Sequence, residues 1–176
     1  MSVVSATATA KAQIQIAIKS WLQSNVVGDN GAHEFLIDLA VNLTNGTAVG
    51  ACDKVFFSDR TLTIGASENY DLAGTLTDAL GATCTFAKVK LIVVKNTTTT
   101  DGIDLSVGPV TAGNGFGIGT FWNAAADKSI CPADGLIVIY DKNGAAVSAG
   151  TADLLTVIER GVGTATYKIM IIGTSA

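Results

Sequence analysis

His33 is the only histidine in the chain, and it stands far from the three cysteines, Cys52, Cys84 and Cys131. A Cys3His zinc centre would need all three scattered thiols to converge on that one imidazole, and no CxxC pair gathers two of them locally. A Ser-His-Asp or Cys-His arrangement is spatial and needs a single histidine, yet no G-x-S-x-G turn or other nucleophile context accompanies His33. It reads as a polar residue at the start of a strand. Gly113, Gly115, Gly117 and Gly119 alternate through Gly-Asn-Gly-Phe-Gly-Ile-Gly. A phosphate cradle would also need a strand before it, a helix after it and a following Gly-Lys-Ser/Thr, so the segment reads as a loop or a strand edge where backbones approach closely. The carboxylate pairs Asp101/Asp104 and Glu68/Asp71 could serve glycoside hydrolysis or hold Ca²⁺. They lie among turn residues, where acids ordinarily cap helices and form Asx-turns, and no EF-hand loop is present. Trp21, Trp122, Tyr70, Tyr140 and Tyr167 would make a sugar platform only if aligned on one face, and packing in a core or interface is their commoner use. These residues assign no catalytic group, no cofactor and no metal.

The elements that would position any site are strands. Ile14, Ile16 and Ile18 alternate with Gln13, Gln15, Ala17 and Lys19, a period of two that puts the isoleucines on one sheet face. Residues 33–44 repeat the pattern, with Phe35, Ile37, Leu39, Val41 and Leu43 against Glu34, Leu36, Asp38, Ala40 and Asn42. Further strands are expected over 54–57, 60–64, 84–95, 103–107, 117–122, 135–140, 154–159 and 164–172, with one short helix over 75–81. Turn dipeptides separate them: Asn30-Gly31, Asn45-Gly46, Asp101-Gly102, Asn114-Gly115, Asp134-Gly135 and Asn143-Gly144. Many short strands with regular turn signals indicate an all-β chain, a β-sandwich or small barrel in which jelly-roll topology is one option. Residues 1–22 read as an extended N-terminal arm or strand, and 23–176 as a single β-sandwich domain. Lys88, Lys90 and Lys95 interleave with valines and leucine and read as a solvated or salt-bridged strand face.

Charge narrows the partners. Only 15% of the 176 residues are charged, against about 25% in ordinary soluble domains, while net charge is −4 and mean hydropathy is +0.43. An acidic chain of this kind is no basic nucleic-acid binder, and no apolar run reaches the roughly 18 residues that span a bilayer. Direct contact with nucleic acid or membrane is not expected. An odd number of cysteines and the absence of a basic, then apolar, leader suit a reducing cytoplasm. A globule so poor in charge would associate through its apolar exterior, so part of that exterior is expected to lie against sister molecules. The expected contact segment is Ile14, Ile16, Ile18, Trp21 and Leu22, acting as an arm or added strand on a neighbour.

The segments at 69–74 (Asn-Tyr-Asp-Leu-Ala-Gly), 76–81 (Leu-Thr-Asp-Ala-Leu-Gly) and 86–96 (opening Phe-Ala-Lys-Val-Lys and closing Val-Lys-Asn), with the ending from 149 to 175, occur in an order that resembles small structural proteins of tailed bacteriophages. The resemblance spans roughly residues 52–176 and leaves out the N-terminal segment. It implies a virion component made in the bacterial host cytoplasm and no enzyme. The expected type is a capsid decoration, or cement, subunit, often a homotrimer, that contacts the major capsid protein or another virion protein. The alternative is a tail or head-fibre component carrying a receptor- or carbohydrate-binding module. No catalytic residue carries over.

Overall fold

Period-two alternation and β-branched content become strands over much of the described chain. The structure is a computed structural model that describes the backbone of residues 12–23 and 32–41 and, with their side chains, residues 42–74, 76–78, 81–111 and 113–176. Among these residues there are eleven strands and no helix. They are β1 (Ala12–Gln23), β2 (Ala32–Asn45), β3 (Ala51–Cys52), β4 (Lys54–Leu62), β5 (Ser67–Asp71) and β6 (Lys88–Asn96). Then follow β7 (Leu105–Pro109), β8 (Ser129–Cys131), β9 (Leu136–Ala146), β10 (Leu154–Glu159) and β11 (Ala165–Thr174).

Two four-stranded antiparallel sheets pack face to face as a β-sandwich. Sheet I has the order β5-β10-β7-β8 and sheet II the order β4-β11-β6-β9. A third sheet, β1-β2-β3, consists of a long antiparallel hairpin whose second strand ends in a short parallel pairing with β3. Between sheets I and II lies the main core. Sheet I contributes Leu105, Val107, Leu155 and Val157, and sheet II contributes Phe56, Ile92, Val94, Ile169 and Ile171, all essentially buried. Each such side chain removed from water contributes about 1.5–3 kcal/mol before entropy is counted. The connections add Leu72, Phe86, Phe116 and Trp122 to the same cluster.

One polar tie crosses this core. The Tyr70 hydroxyl on β5 lies 2.7 Å from the Tyr167 hydroxyl on β11, and Glu68 Oε2 stands 3.2 and 2.9 Å from the two, so that two phenol protons are shared over three contacts. Arg60 Nε stands 3.3 Å from the other oxygen of Glu68. Buried phenols without partners would be costly, and here each is satisfied across the sheet gap.

Several sequence expectations shift in place. The segments 54–57 and 60–64 join into one strand, β4, because Ser58 and Asp59 pair directly with Ile169 and Lys168 of β11 and form no turn. The expected strand over 117–122 is instead a run of turns. Gly117 and Gly119 take left-handed φ, Gly115 bridges Leu154, and Phe116 and Trp122 point into the core. The glycine-rich segment is therefore a loop of close backbone approach, as its composition suggested. Asn143-Gly144 is no hairpin turn either, since it falls inside β9 at a wide irregularity in the pairing with β6. The short helix expected over 75–81 lies partly outside the described residues, and within them Thr77 makes an isolated antiparallel bridge to Thr83.

Candidate interaction surface

Strands β6, β9 and β11 are apolar on both faces: Leu91 to Val94, Leu136 to Tyr140 and Ile169 to Ile172 run without a polar residue. A strand with one wet face alternates, whereas an uninterrupted apolar run belongs to a strand covered on both sides. The inner side chains of these runs supply the main core. The outer ones are placed by cross-strand register into rows. Phe57, Met170, Val93 and Val138 form one row across β4, β11, β6 and β9. Val55, Ile172, Leu91 and Tyr140 form the next. Eight apolar or aromatic residues thus face outward from the middle of sheet II.

Charge and polarity frame these rows at one end. Asp59, Lys168, Lys95 and Leu136 make the adjoining row, in which Lys168 Nζ lies 2.8 Å from Asp59 Oδ2 and Lys95 pairs with Asp134. Beyond it Thr97 donates to Thr166 at 2.9 Å. These exposed ion pairs add little stability, about 0–1 kcal/mol each, and chiefly mark where the apolar area stops. A depression of about 680 Å³ opens over Phe57, Val93 and Met170 beside Asp59, Lys95 and Lys168.

The other end is closed by the root of the hairpin. Leu43, the last apolar residue of β2, is buried with Cys52 against Leu91 and Ile172, so one end of the row is covered by the chain itself. Lys90 holds this root. It falls where the β6–β9 register jumps between Val89 and Leu91, which turns it out of the regular alternation. Only 1% exposed, it donates from Nζ to Ala48 O at 2.5 Å and Ala51 O at 2.7 Å. The opposite side of the irregularity, residues 141–144 of β9, receives the same loop, with Gly50 N donating to Lys142 O at 3.2 Å. Gly144 fits there because its φ is +79° and a Cβ would stand 2.9 Å from the Lys90 stem and 3.1 Å from Val89 O. Burial, with Lys88 nearby, pulls the Lys90 ammonium below the ordinary lysine range. The solvated lysine face expected from sequence is thus corrected for Lys90: a bulge and two loop carbonyls give a buried ammonium the acceptors it needs.

The remaining half of the surface keeps its exposure. Phe57 is 58%, Leu136 55% and Tyr140 40% accessible in the chain as a whole.

The sequence-named segment falls in the hairpin. Ile14, Ile16, Ile18, Trp21 and Leu22 lie on β1, which pairs with β2 in unbroken register from Ala12↔Leu43 to Gln23↔Ala32. Their side chains, and that of His33, lie outside the described residues. By register Ile14, Ile16 and Ile18 stand opposite Val41, Leu39 and Ile37, on the ribbon positions that lead to Leu43. Sequence reasoning missed the outward rows of sheet II, although the unbroken runs in β6, β9 and β11 carried the signal.

The other chemical candidates take structural roles. Cys84 and Cys131 are buried in the inter-sheet core and Cys52 on the outer side of sheet II, so the three thiols do not converge. Burial pushes the Cys84 thiol up to about 11 and the Cys131 thiol upward as well. Desolvation likewise raises Tyr70 and Tyr167 above the usual phenol range, so both stay protonated within the triad they form with Glu68. Asp71 accepts from Ala73 N at 3.0 Å and Asp101 from Gly102 N at 3.0 Å, the ordinary local use of a carboxylate in a turn, while Asp104 accepts from Ala133 N at 3.3 Å and ties two distant loops together. Of the five aromatics, Tyr70, Trp122 and Tyr167 are buried and Tyr140 is exposed, while Trp21 lies outside the described side chains. Among the described residues no group of three or more His, Cys, Asp or Glu is placed to hold a metal ion. No helix among them is long and apolar enough to cross a membrane. Comparison with protein-family models, curated proteins and solved structures returns no match for this chain.

Proposed function

We propose that this protein is a non-enzymatic structural subunit of a tailed-phage virion, a decoration protein that binds the assembled head from outside and reinforces it. The observation that carries the reading is the outer face of sheet II. Two cross-strand rows of apolar side chains remain accessible at Phe57 and Tyr140 on strands whose composition is that of doubly covered sheet. Large apolar patches on monomers mark places where another body sits. A charge content of 15% supports the same reading, because interface cores are depleted in charged residues. The resemblance to phage structural proteins supplies the kind of assembly, with the major capsid protein as the hetero-partner.

The mechanism is energetic. A subunit that binds the finished lattice and not its free components stabilises the lattice by mass action, by about 2.7 kcal/mol per site at a hundredfold excess over Kd. Many sites together resist the outward pressure of packaged DNA. The test is quantitative mass spectrometry and electron microscopy of particles that contain the chain. Copies in number and position matching the capsid lattice are expected. Absence from particles, or a few copies confined to one vertex, refutes the decoration reading, and the second outcome puts a tail role in its place.

A further inference from the structure

Sheets I and II end in four edge strands, β5, β8, β4 and β9. An exposed edge invites another strand, and proteins ordinarily blunt it with charge or brevity. β8 is three residues long, β5 carries Glu68 and Asp71, and β4 carries Lys54, Asp59 and Arg60. β9 departs from this rule. Its opening run, Leu136-Ile137-Val138-Ile139-Tyr140, holds no charge, no proline and no glycine. We propose that this edge pairs with the same edge of a second copy, antiparallel about a twofold axis at Val138, and joins two four-stranded sheets into one of eight strands. The pairing deepens the reading of the chain as an assembly subunit, on which it rests, by naming its first partner.

Ladder geometry is the first argument. Directly opposite residues of an antiparallel pair alternate between exchanging both backbone hydrogen bonds and exchanging none. Asn96 N donates to Gly135 O at 3.0 Å, and the β6–β9 register then runs without a shift from Lys95↔Leu136 to Leu91↔Tyr140. Val94↔Ile137 and Ile92↔Ile139 are therefore the bonded pairs, while Leu136, Val138 and Tyr140 turn N–H and C=O away from β6. Among the described residues no strand pairs with that outer edge. A twofold at Val138 sets the three outward N–H groups of each copy against the three outward C=O groups of the other, for about six new hydrogen bonds.

Side chains and charge fit the same axis. Pairing Val138 with itself sets Leu136 opposite Tyr140 of the second copy and Ile137 opposite Ile139. Leu136 and Tyr140 share the outer face of sheet II and are both exposed in the single chain, so each covers the other across the axis. Ile137 and Ile139, which pack on the main core, are only partly buried, whereas Val94 and Ile92 beside them on β6 are wholly buried. That difference is the mark of an open edge. Continuing the register brings Lys142 of one copy toward Asp134 of the other at both ends of the pairing, opposite charges that fix orientation. The turn at Asp134, with φ +53°, and the irregularity over 141–144 stop the flat stretch on either side. Because the remaining edges are blunted, association closes at two copies.

The experiment uses the full chain and analytical ultracentrifugation. Val138→Pro removes an N–H that points away from β6, so the ladder within the chain keeps its bonds and the pairing between copies loses two. Leu136→Lys with Tyr140→Lys sets like charges opposite each other across the axis, and Leu136→Lys with Tyr140→Glu sets opposite charges there. Wild type is expected to form a pair, the first two variants to lose about tenfold or more in association constant, and the Lys/Glu variant to recover most of that loss. An unchanged near-ultraviolet circular dichroism spectrum shows that the sandwich has stayed folded. Disulfide trapping checks the register. Val138→Cys places two thiols on the axis with Cα atoms about 5.5 Å apart, within disulfide reach, whereas Phe57→Cys on the far edge leaves them about 34 Å apart. The native cysteines are buried, so a mild oxidant should link only the Val138→Cys protein. A wild-type monomer at about 100 µM, a trimer, no rescue by the Lys/Glu variant, or equal cross-linking at both positions overturns the proposal. Capsid occupancy is read separately. A wild-type monomer that occupies the lattice sinks the pairing and leaves the decoration function standing, while a cross-linked pair absent from particles upholds the pairing and refutes decoration.

Discussion

Replacing Lys90 by methionine isolates what the buried ammonium does at the hairpin root. Methionine keeps an unbranched stem of similar length and removes the donor to Ala48 O and Ala51 O. Two hydrogen bonds from a charged donor are worth about 1.5–3 kcal/mol each, so the gross loss is about 3–6 kcal/mol. Against this, removing a buried cation relieves a desolvation cost of several kcal/mol, a cost seen in the downward pull on the Lys90 ammonium. The net destabilisation of the root is then about 1–3 kcal/mol, which multiplies local opening by about 5 to 150. Hydrogen exchange reads this directly. Gly46 N, bonded to Cys52 O, and Gly50 N, bonded to Lys142 O, are expected to lose about one to two decades of protection. The amides of Val107 and Val157, paired in sheet I, are expected to keep theirs. Equal protection in both proteins at Gly46 and Gly50 refutes the assignment of Lys90 as the pin, and equal loss at Val107 shows instead that the residue supports the whole sandwich.

Three further outcomes follow from the core. Tyr70 and Tyr167 ionise later in the folded chain than the free phenol near 10, so above that pH the unfolded chain sheds protons first and stability falls as pH rises. Urea unfolding from pH 10.5 to 11.5, above the range where Lys90 acts in the opposite sense, should lose about 1.4 kcal/mol per pH unit more in wild type than in Tyr70→Phe, and parallel curves refute the tie. Gly173→Ala puts a Cβ 2.0 Å from Lys88 O at the β6–β11 irregularity, and the forced backbone shift should cost about 1–3 kcal/mol in chemical denaturation. Cys84, buried and with its thiol pushed up to about 11, should react with a disulfide reagent at pH 8 at least about a hundredfold more slowly than free cysteine, and reaction at the free rate would show that the core opens there.

The strands that alternate were readable one at a time. β10 falls at Leu154–Glu159 as its β-branched run implied, and the isoleucine alternation of 14–18 became β1. Short polar strands were not readable. β5 carries a single large apolar residue, Tyr70, whose value lies in a hydroxyl contact with a residue 97 positions away. β8 is three residues long and follows a loop of turns. Ser58-Asp59 and Asn143-Gly144 have turn-like composition but take their conformation from β11 and from the hairpin root, partners that a local window does not contain. The candidate surface was half legible. Unbroken apolar runs in β6, β9 and β11 announced two covered faces, while the alignment of Phe57, Met170, Val93 and Val138 depends on register between strands distant in the chain.

The position of β11 bears on how the molecule is made. It is the last strand to leave the ribosome among those of sheet II, yet it sits between β4 and β6, and Lys168 reaches back 109 positions to Asp59. Until it emerges, β4 has no neighbour in its sheet and β6 lacks one of its two. Vectorial synthesis therefore yields a nascent chain whose larger sheet stays open to the end, and closure comes as one late, long-range step of the slow kind that high contact order imposes. A translational stall or truncation just before residue 165 would leave an aggregation-prone intermediate and no stable half-domain.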